Sequence, residues 1–248
     1  MNFLLDISFD GSRYCGFQVQ KNGLSVCEAL QDAMAAVFRQ RPNVKGCSRT
    51  DAGVHAEHYA LSVAADTRIP AKKLPLALNQ KLPMDIRVNK AQEVPEEFHA
   101  RYSAHAKTYH YRILNSAIDS PFEEKYYYRV TGTLNVQAMQ QAAGYFVGKQ
   151  DFASLCAADC ETAKRAGTVR TITDCHVTAK GEHITISVTA DGYLYNMVRI
   201  LAGTLLWAGQ QKISPLQIKE ILEAKDRSKA GPTLPAKGLF LHRVEYGI

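Results

Sequence analysis

A chain of 248 residues with 46% hydrophobic content has material for one large domain or two of about 100–150 residues each, which excludes a disordered chain. Thirty Lys and Arg against 24 Asp and Glu leave a net charge of +6, a mild excess that suits a polyanionic partner without requiring one. No apolar run approaches the ~18–20 residues of a membrane span, and the six cysteines form no CxxC pair, so reduced thiols in a cytoplasmic protein are expected.

Residues 2–9 alternate, with Phe3, Leu5, Ile7 and Phe9 on one face, the period of a half-buried strand. Phe9-Asp10-Gly11-Ser12-Arg13-Tyr14-Cys15-Gly16-Phe17-Gln18 then reads as a turn rich in glycine and aromatics. Ser25 and Glu28 have the spacing of a capping box, and Val26, Ala29, Leu30, Ala33, Met34, Val37 and Phe38 recur at helical spacing, so 25–40 reads as an amphipathic helix on a sheet.

Gly46-Cys47-Ser48-Arg49-Thr50-Asp51-Ala52-Gly53-Val54-His55-Ala56 follows and precedes a strand-like alternation at 59–65, which makes it a loop. Glycines on either side of Asp51 suit a backbone that turns sharply or approaches a ligand closely. Spacing alone favours a plain connecting turn whose Asp bonds its own backbone.

A loop and short helix over 70–78 lead to a strand near 85–91. Lys107 to Ile113 alternates as a strand with Tyr109, Tyr111 and Ile113 on one face. Two stretches lack acids: Ala33 to Thr50, carrying Arg39, Arg41, Lys45 and Arg49, and Phe98 to Ile118, carrying Arg101, Lys107 and Arg112 with three interleaved histidines. Aromatics among cations can stack bases and neutralise phosphates, although core tyrosines are the commoner explanation of such a strand.

Residues 115–125 read as a surface connection, Asn135 as the cap of a helix through Phe146, and 150–168 as an irregular polar loop. Cys156-x3-Cys160 within it lacks a second ligand pair, so zinc is not expected. A hairpin over 171–178 and 183–189 precedes an apolar helix over 193–208 whose only charge is Arg199. That guanidinium either reaches water past its apolar neighbours or meets a buried carboxylate. Ser214, Pro215 and Gln217 open a last helix, and Pro235 to Leu241 leads into a terminal strand.

Five of these segments resemble, in order, the TruA family of tRNA pseudouridine synthases: Phe9 to Gln18, Arg49-Thr50-Asp51-Ala52-Gly53, Phe98 to Arg101 with Lys107 to Tyr111, Tyr193 to Gly203 with Met197-Val198-Arg199, and Pro235 to Leu241. Arg-Thr-Asp-Ala-Gly-Val-His is the most specific of them. Phe17, where a tryptophan is more usual, and Cys47-Ser48 before Arg49 depart from the common spelling.

The resemblance implies an α+β fold, a central mostly antiparallel sheet flanked by helices, in two similar halves around a central cleft. The halves are 1–104, carrying the aspartate loop, and 105–248, carrying the tyrosine strand and the arginine helix. It implies that Asp51 is the essential carboxylate, that Tyr109 stacks on the target uracil and could take part in proton removal, and that Arg199 pairs with Asp51. Arg49 would hold the flipped nucleotide's place in the stem, with His99, Arg101 and Lys107 contacting RNA. Tyr109 is chosen over Tyr111 only as the first tyrosine of Tyr-x-Tyr. The partners implied are tRNA, at positions 38–40 of its anticodon arm, and a second copy in a homodimer.

Pseudouridine formation breaks the N1 glycosidic bond and rejoins the uracil through C5, so no cofactor or metal is expected. One carboxylate can begin it, by attack on sugar or base or by removing a sugar proton. Two alternatives stand beside this. An RNA-binding protein without catalysis gives no reason for Asp51, since a carboxylate repels phosphate. A metal hydrolase using Asp51, His55 and His58 has weak ligand spacing.

Overall fold

The computed structural model describes residues 1–21, 23–157 and 161–247. In chain order the elements are β1 (Asn2–Phe9), α1 (Val26–Phe38), β2 (Val44–Gly46), β3 (His55–Ala64), α2 (Leu74–Asn79), β4 (Ile86–Val94), β5 (Ala104–Asn115) and β6 (Tyr128–Val130). They continue with α3 (Val136–Gly144), β7 (Gly148–Asp151), α4 (Glu161–Ala166), β8 (Val169–Lys180), β9 (His183–Ala190), α5 (Met197–Gly209), α6 (Gln217–Ala224) and β10 (Leu239–Tyr246). Helices and mixed sheet make this the expected α+β fold. Two compact units divide the chain, Met1–His105 with Phe240–Ile248, and Ala106–Leu239.

In the first unit the strand order is β4-β1-β3-β10, with β2 added on β3. β1 pairs antiparallel with β3 and β4, whereas β10 joins β3 in parallel through Phe240 to His55 and Leu241 to Ala56. The odd-numbered face of β1 (Phe3, Leu5, Ile7) is fully buried, as period-two alternation requires. Ser25 caps α1 by accepting from the Glu28 amide at 3.1 Å, and the helix ends where Arg39 turns left-handed at φ 58°. β3 begins at His55, four residues before the alternation suggests, because His55 and Ala56 have a partner strand in β10 that no local pattern announces.

In the second unit β5-β9-β8-β7 run antiparallel, with β6 parallel to β5. Gly181, at φ 60°, makes the β8–β9 turn. Asn135 caps α3 through the Ala138 amide at 2.9 Å, and Gln217 accepts from the Ser214 amide at 2.8 Å ahead of α6. Residues 150–168 are not wholly irregular: β7 ends in them at Asp151, a 3-10 turn follows at Ala153–Leu155, and α4 begins at Glu161. Cys160, and with it the Cys156-x3-Cys160 spacing, lies outside the described residues.

α5 starts at Met197 rather than 193 because Asn196 adopts the left-handed conformation, φ 60°, and Tyr193 donates its hydroxyl to the carbonyls of Lys107 and Val188. It is buried on nearly every side, as a helix that is apolar all round must be. Its Gly203 lies against the backbone of 230–232, where Thr204 Oγ1 also accepts from the Gly231 amide at 2.9 Å. No helix among the described residues is long and apolar enough to cross a membrane. Burial pushes the Cys27 thiol up to about 11 and the Cys175 thiol up to about 12, marking both as core residues, not nucleophiles.

A β-carbon on Gly203 would lie 1.9 Å from the Pro232 carbonyl oxygen, a contact with backbone that cannot yield cheaply. Gly203→Ala is therefore expected to destabilise by about 3 kcal/mol, the upper part of the overpacking range. Gly144→Ala, with nothing near its added carbon, should leave the midpoint unchanged or slightly raised. Urea denaturation of both variants checks the contrast.

Candidate active site

The Arg49-to-Asp51 loop is held by backbone contacts to the turn after β1. The Phe17 amide donates to the Thr50 carbonyl at 3.2 Å, and the Gly53 amide to the Tyr14 carbonyl at 3.3 Å. The Val54 amide donates to the Asp51 carbonyl at 3.2 Å, closing a tight turn in which Gly53 has φ 77°. Two glycines of the facing turn let these backbones meet: a β-carbon would sit 2.0 Å from the Val54 oxygen at Gly11 and 2.5 Å from the Thr50 oxygen at Gly16. That turn is fastened in its own right, since Tyr14 donates to Asp85 Oδ1 at 2.7 Å and Arg13 Nε lies 3.3 Å from Asp85 Oδ2. Burial, then the bond to Asp85, raises the Tyr14 pKa well above a free phenol's, so it stays a donor.

Asp51 is half-buried at the loop's centre and Arg49 is exposed. Between them Thr50 is buried, and its Oγ1 has no hydrogen-bond partner among the described residues. His55 does not serve as a ligand here: it is buried, its ring stacks on Phe240 at 4.6 Å, and its Nδ1 accepts from the Gly11 amide at 3.1 Å. His58 is exposed and lies 3.0 Å from Asp6 Oδ2. Among the described residues Asp51, His55 and His58 do not converge as a metal-binding group, so the hydrolase arrangement lacks its geometry.

His99 and Arg101 also belong to the first unit. His99 Nδ1 accepts from the Arg101 amide at 3.1 Å, and its ring lies 4.4 Å from that of Tyr102. Burial first, then the positive charges of Lys45 and Arg101, lowers the His99 pKa and favours the neutral ring. Tyr102 is 76% exposed, with the Arg101 guanidinium 5.8 Å from its centroid. This exposed aromatic beside cations was not singled out from sequence, though its place directly after Arg101 in an acid-free stretch is a usable signal.

Tyr109 and Lys107 share a face of β5 in the second unit. Tyr109 is 6% exposed and meets the half-buried Tyr193 edge-on at 4.9 Å. Tyr111 is fully buried and donates to the Pro235 carbonyl at 2.8 Å, and burial raises its pKa far above the usual phenol value. Arg199, half-buried, donates through Nε to the preceding carbonyl, Leu234, at 2.6 Å and through Nη1 to Asn196 Oδ1 at 2.8 Å. Consecutive carbonyls are thus held by Arg199 and Tyr111.

The description "tRNA pseudouridine synthase" belongs to a family model that matches residues 7–103 and 142–247. The chain belongs to that family. Its curated relatives include tRNA pseudouridine synthase A of Thermoanaerobacter sp. (strain X514), 42% identical over 245 residues, and that of Clostridium acetobutylicum, 41% identical over 245 residues. Both alignments span 99% of this chain and 99% of the relative. The protein of the same name from Ruminiclostridium cellulolyticum is 44% identical over 243 residues, 98% of each chain. Family membership, together with the α+β fold, bears out the resemblance carried by the five segments.

Replacing an unsatisfied buried hydroxyl with an isosteric methyl removes a desolvation cost, whereas removing one partner from a satisfied bond leaves an orphan. Thr50→Val is therefore expected to be neutral or to stabilise by about 1 kcal/mol, and Tyr111→Phe to destabilise by about 1–2 kcal/mol. Denaturant midpoints measured together test the opposite signs.

Proposed function

We propose that this chain isomerises uridine to pseudouridine in the anticodon arm of tRNA, at positions 38–40, with Asp51 as the catalytic carboxylate. The activity is supported by the match along 99% of the chain to relatives named tRNA pseudouridine synthase A. The role of Asp51 is supported by its place in the family's Arg-Thr-Asp-Ala-Gly loop and by the backbone contacts that pin that loop on both sides of it.

The reaction exchanges one bond for another within a single nucleotide: C1′–N1 breaks, C1′–C5 forms, and a proton leaves C5 while N1 gains one. A loop whose backbone is bonded on both sides of Asp51 can hold the carboxylate with little reorganisation, which is where positioning contributes to rate. The uracil must first leave its stack, at a cost of a few kcal/mol that basic contacts and aromatic stacking offset. Tyr109 is the tyrosine assigned to the uracil, as the first tyrosine of Tyr-x-Tyr, and the hydroxyl of Tyr111 donates to the Pro235 carbonyl. Arg199 is assigned to keep Asp51 ionised, and Arg49 to fill the stem position the nucleotide leaves. His99, Arg101 and Lys107, joined by Tyr102, are assigned to the RNA around it. The protein is proposed to act as a homodimer in the cytoplasm, as the family resemblance implies.

The test uses tRNA tritiated at uridine C5. The wild-type protein is expected to release label with a chelator present, and Asp51→Asn to bind this tRNA while releasing none. Label release by the Asn variant would remove Asp51 from the mechanism, and a chelator block would point to metal-dependent chemistry. Tyr109→Phe should keep tRNA affinity and lose most turnover; retained turnover would show that the hydroxyl is not used.

A further inference from the structure

We infer that Tyr59 is a positioning residue for this reaction, holding the aspartate loop through Ser48, the residue before Arg49. The inference rests on the assignment of Asp51 as the catalytic carboxylate.

Tyr59 is fully buried on β3 and touches both segments that make the loop. Its ring stacks on Phe17 at 4.3 Å and 21°, and lies 5.6 Å from Phe9, so it packs on the two ends of the facing turn. Its hydroxyl donates to the Ser48 carbonyl and lies 3.4 Å from the Ser48 amide, which points toward it. A single phenolic oxygen thus engages both backbone groups of one loop residue. The neighbouring backbone is fixed as well, since the Cys47 amide donates to the Ala60 carbonyl at 2.9 Å.

A buried tyrosine needs a partner for its hydroxyl, and a carbonyl anywhere in the core would satisfy that need. What sets this one apart is the space made for it. Gly46 has no side chain where a β-carbon would lie 2.2 Å from Tyr59 Oη and 2.5 Å from Phe17. The hydroxyl reaches Ser48 only because position 46 is bare. Phe17 and the Cys47-Ser48 pair, where this sequence departs from the common family spelling, are the residues that meet Tyr59 or flank its hydrogen bond. The departures therefore belong to one local arrangement.

A rigid side chain with two rotatable bonds transmits the position of the turn to the loop. From Ser48 the chain runs through Arg49 to Thr50, whose carbonyl is held by Phe17 itself, and then to Asp51. Without the hydroxyl, the Ser48 backbone loses its bond to Tyr59 while the backbone bonds beyond it remain. The loop stays folded, but the position of the Asp51 carboxylate is less sharply defined. Misplacement of about 1 Å can lower a rate by roughly a hundredfold, so partial loosening is expected to lower it about tenfold.

The experiment compares Tyr59→Phe, Gly46→Ala and Asp51→Asn by single-turnover label release, tRNA affinity and melting temperature. Tyr59→Phe is expected to slow the single-turnover step about tenfold while tRNA affinity changes less than about twofold, the pattern of an interaction that matters in the transition state. Gly46→Ala should slow the same step, and the double variant should be no slower than the worse single one, as two changes to one contact require. A full-rate Tyr59→Phe overturns the inference, as does a rate loss matched by an equal loss of affinity and melting temperature. If Asp51→Asn is inactive while Tyr59→Phe runs at full rate, only the present inference fails. An active Asp51→Asn removes the assignment of Asp51, and this inference with it.

Discussion

The aspartate loop lies where it does because two backbones meet with nothing between them. Gly11 and Gly16 face the carbonyls of Val54 and Thr50 at distances that no side chain could occupy. That approach lets amides of one segment reach carbonyls of the other, so main-chain hydrogen bonds flank Asp51 on both sides. Main-chain bonds of this kind carry little rotamer freedom. Asp51 is consequently carried on a loop whose backbone is bonded on either side of it, the kind of support that the proposed catalytic role calls for.

The second unit solves a related problem by other means. Gly203 of α5 and Gly231 allow a helix and an extended segment to touch backbone to backbone, and Thr204 ties the contact with a hydrogen bond. The segment that follows is then gripped at Leu234 by Arg199 and at Pro235 by Tyr111. Arg199 was open from sequence to two readings, a head reaching water or a buried partner. Its Nε donates to the Leu234 carbonyl and its Nη1 to Asn196 Oδ1, which fixes the orientation of the guanidinium.

What could be read from the residues follows the range of the interactions. The cap at Ser25, the turn at Gly181 and the alternation of β1 and β5 are local, and each appears where the pattern puts it. The loop around Asp51 was legible because its glycines, arginine and aspartate are contiguous. The start of β3 was not, because it depends on a parallel partner far along the chain. Nor could alternation separate Tyr109 from Tyr111, which share a face, or announce that Tyr111 bonds a carbonyl 124 residues further on. The delayed start of α5 turns on a left-handed Asn196, a conformation asparagine tolerates but does not advertise. Tyr59 gave no sign of its contact with Ser48, since a tyrosine in an alternating strand looks like any core residue.

The parallel strand at the end of the chain has a consequence for how the molecule is made. Phe240 stacks on His55, His242 lies 2.6 Å from Glu57, and Tyr246 donates to the Ala100 carbonyl at 2.6 Å, so residues near the C-terminus complete a unit begun at residue 1. Emerging from a ribosome, residues 1–105 must therefore wait for residue 240 and those after it before their sheet gains the β10 strand. Such long-range closure slows assembly and leaves a strand edge unpaired in the interval. A nascent chain stalled before residue 240 would lack that strand beside the aspartate loop, so the loop's surroundings are incomplete until β10 has been made.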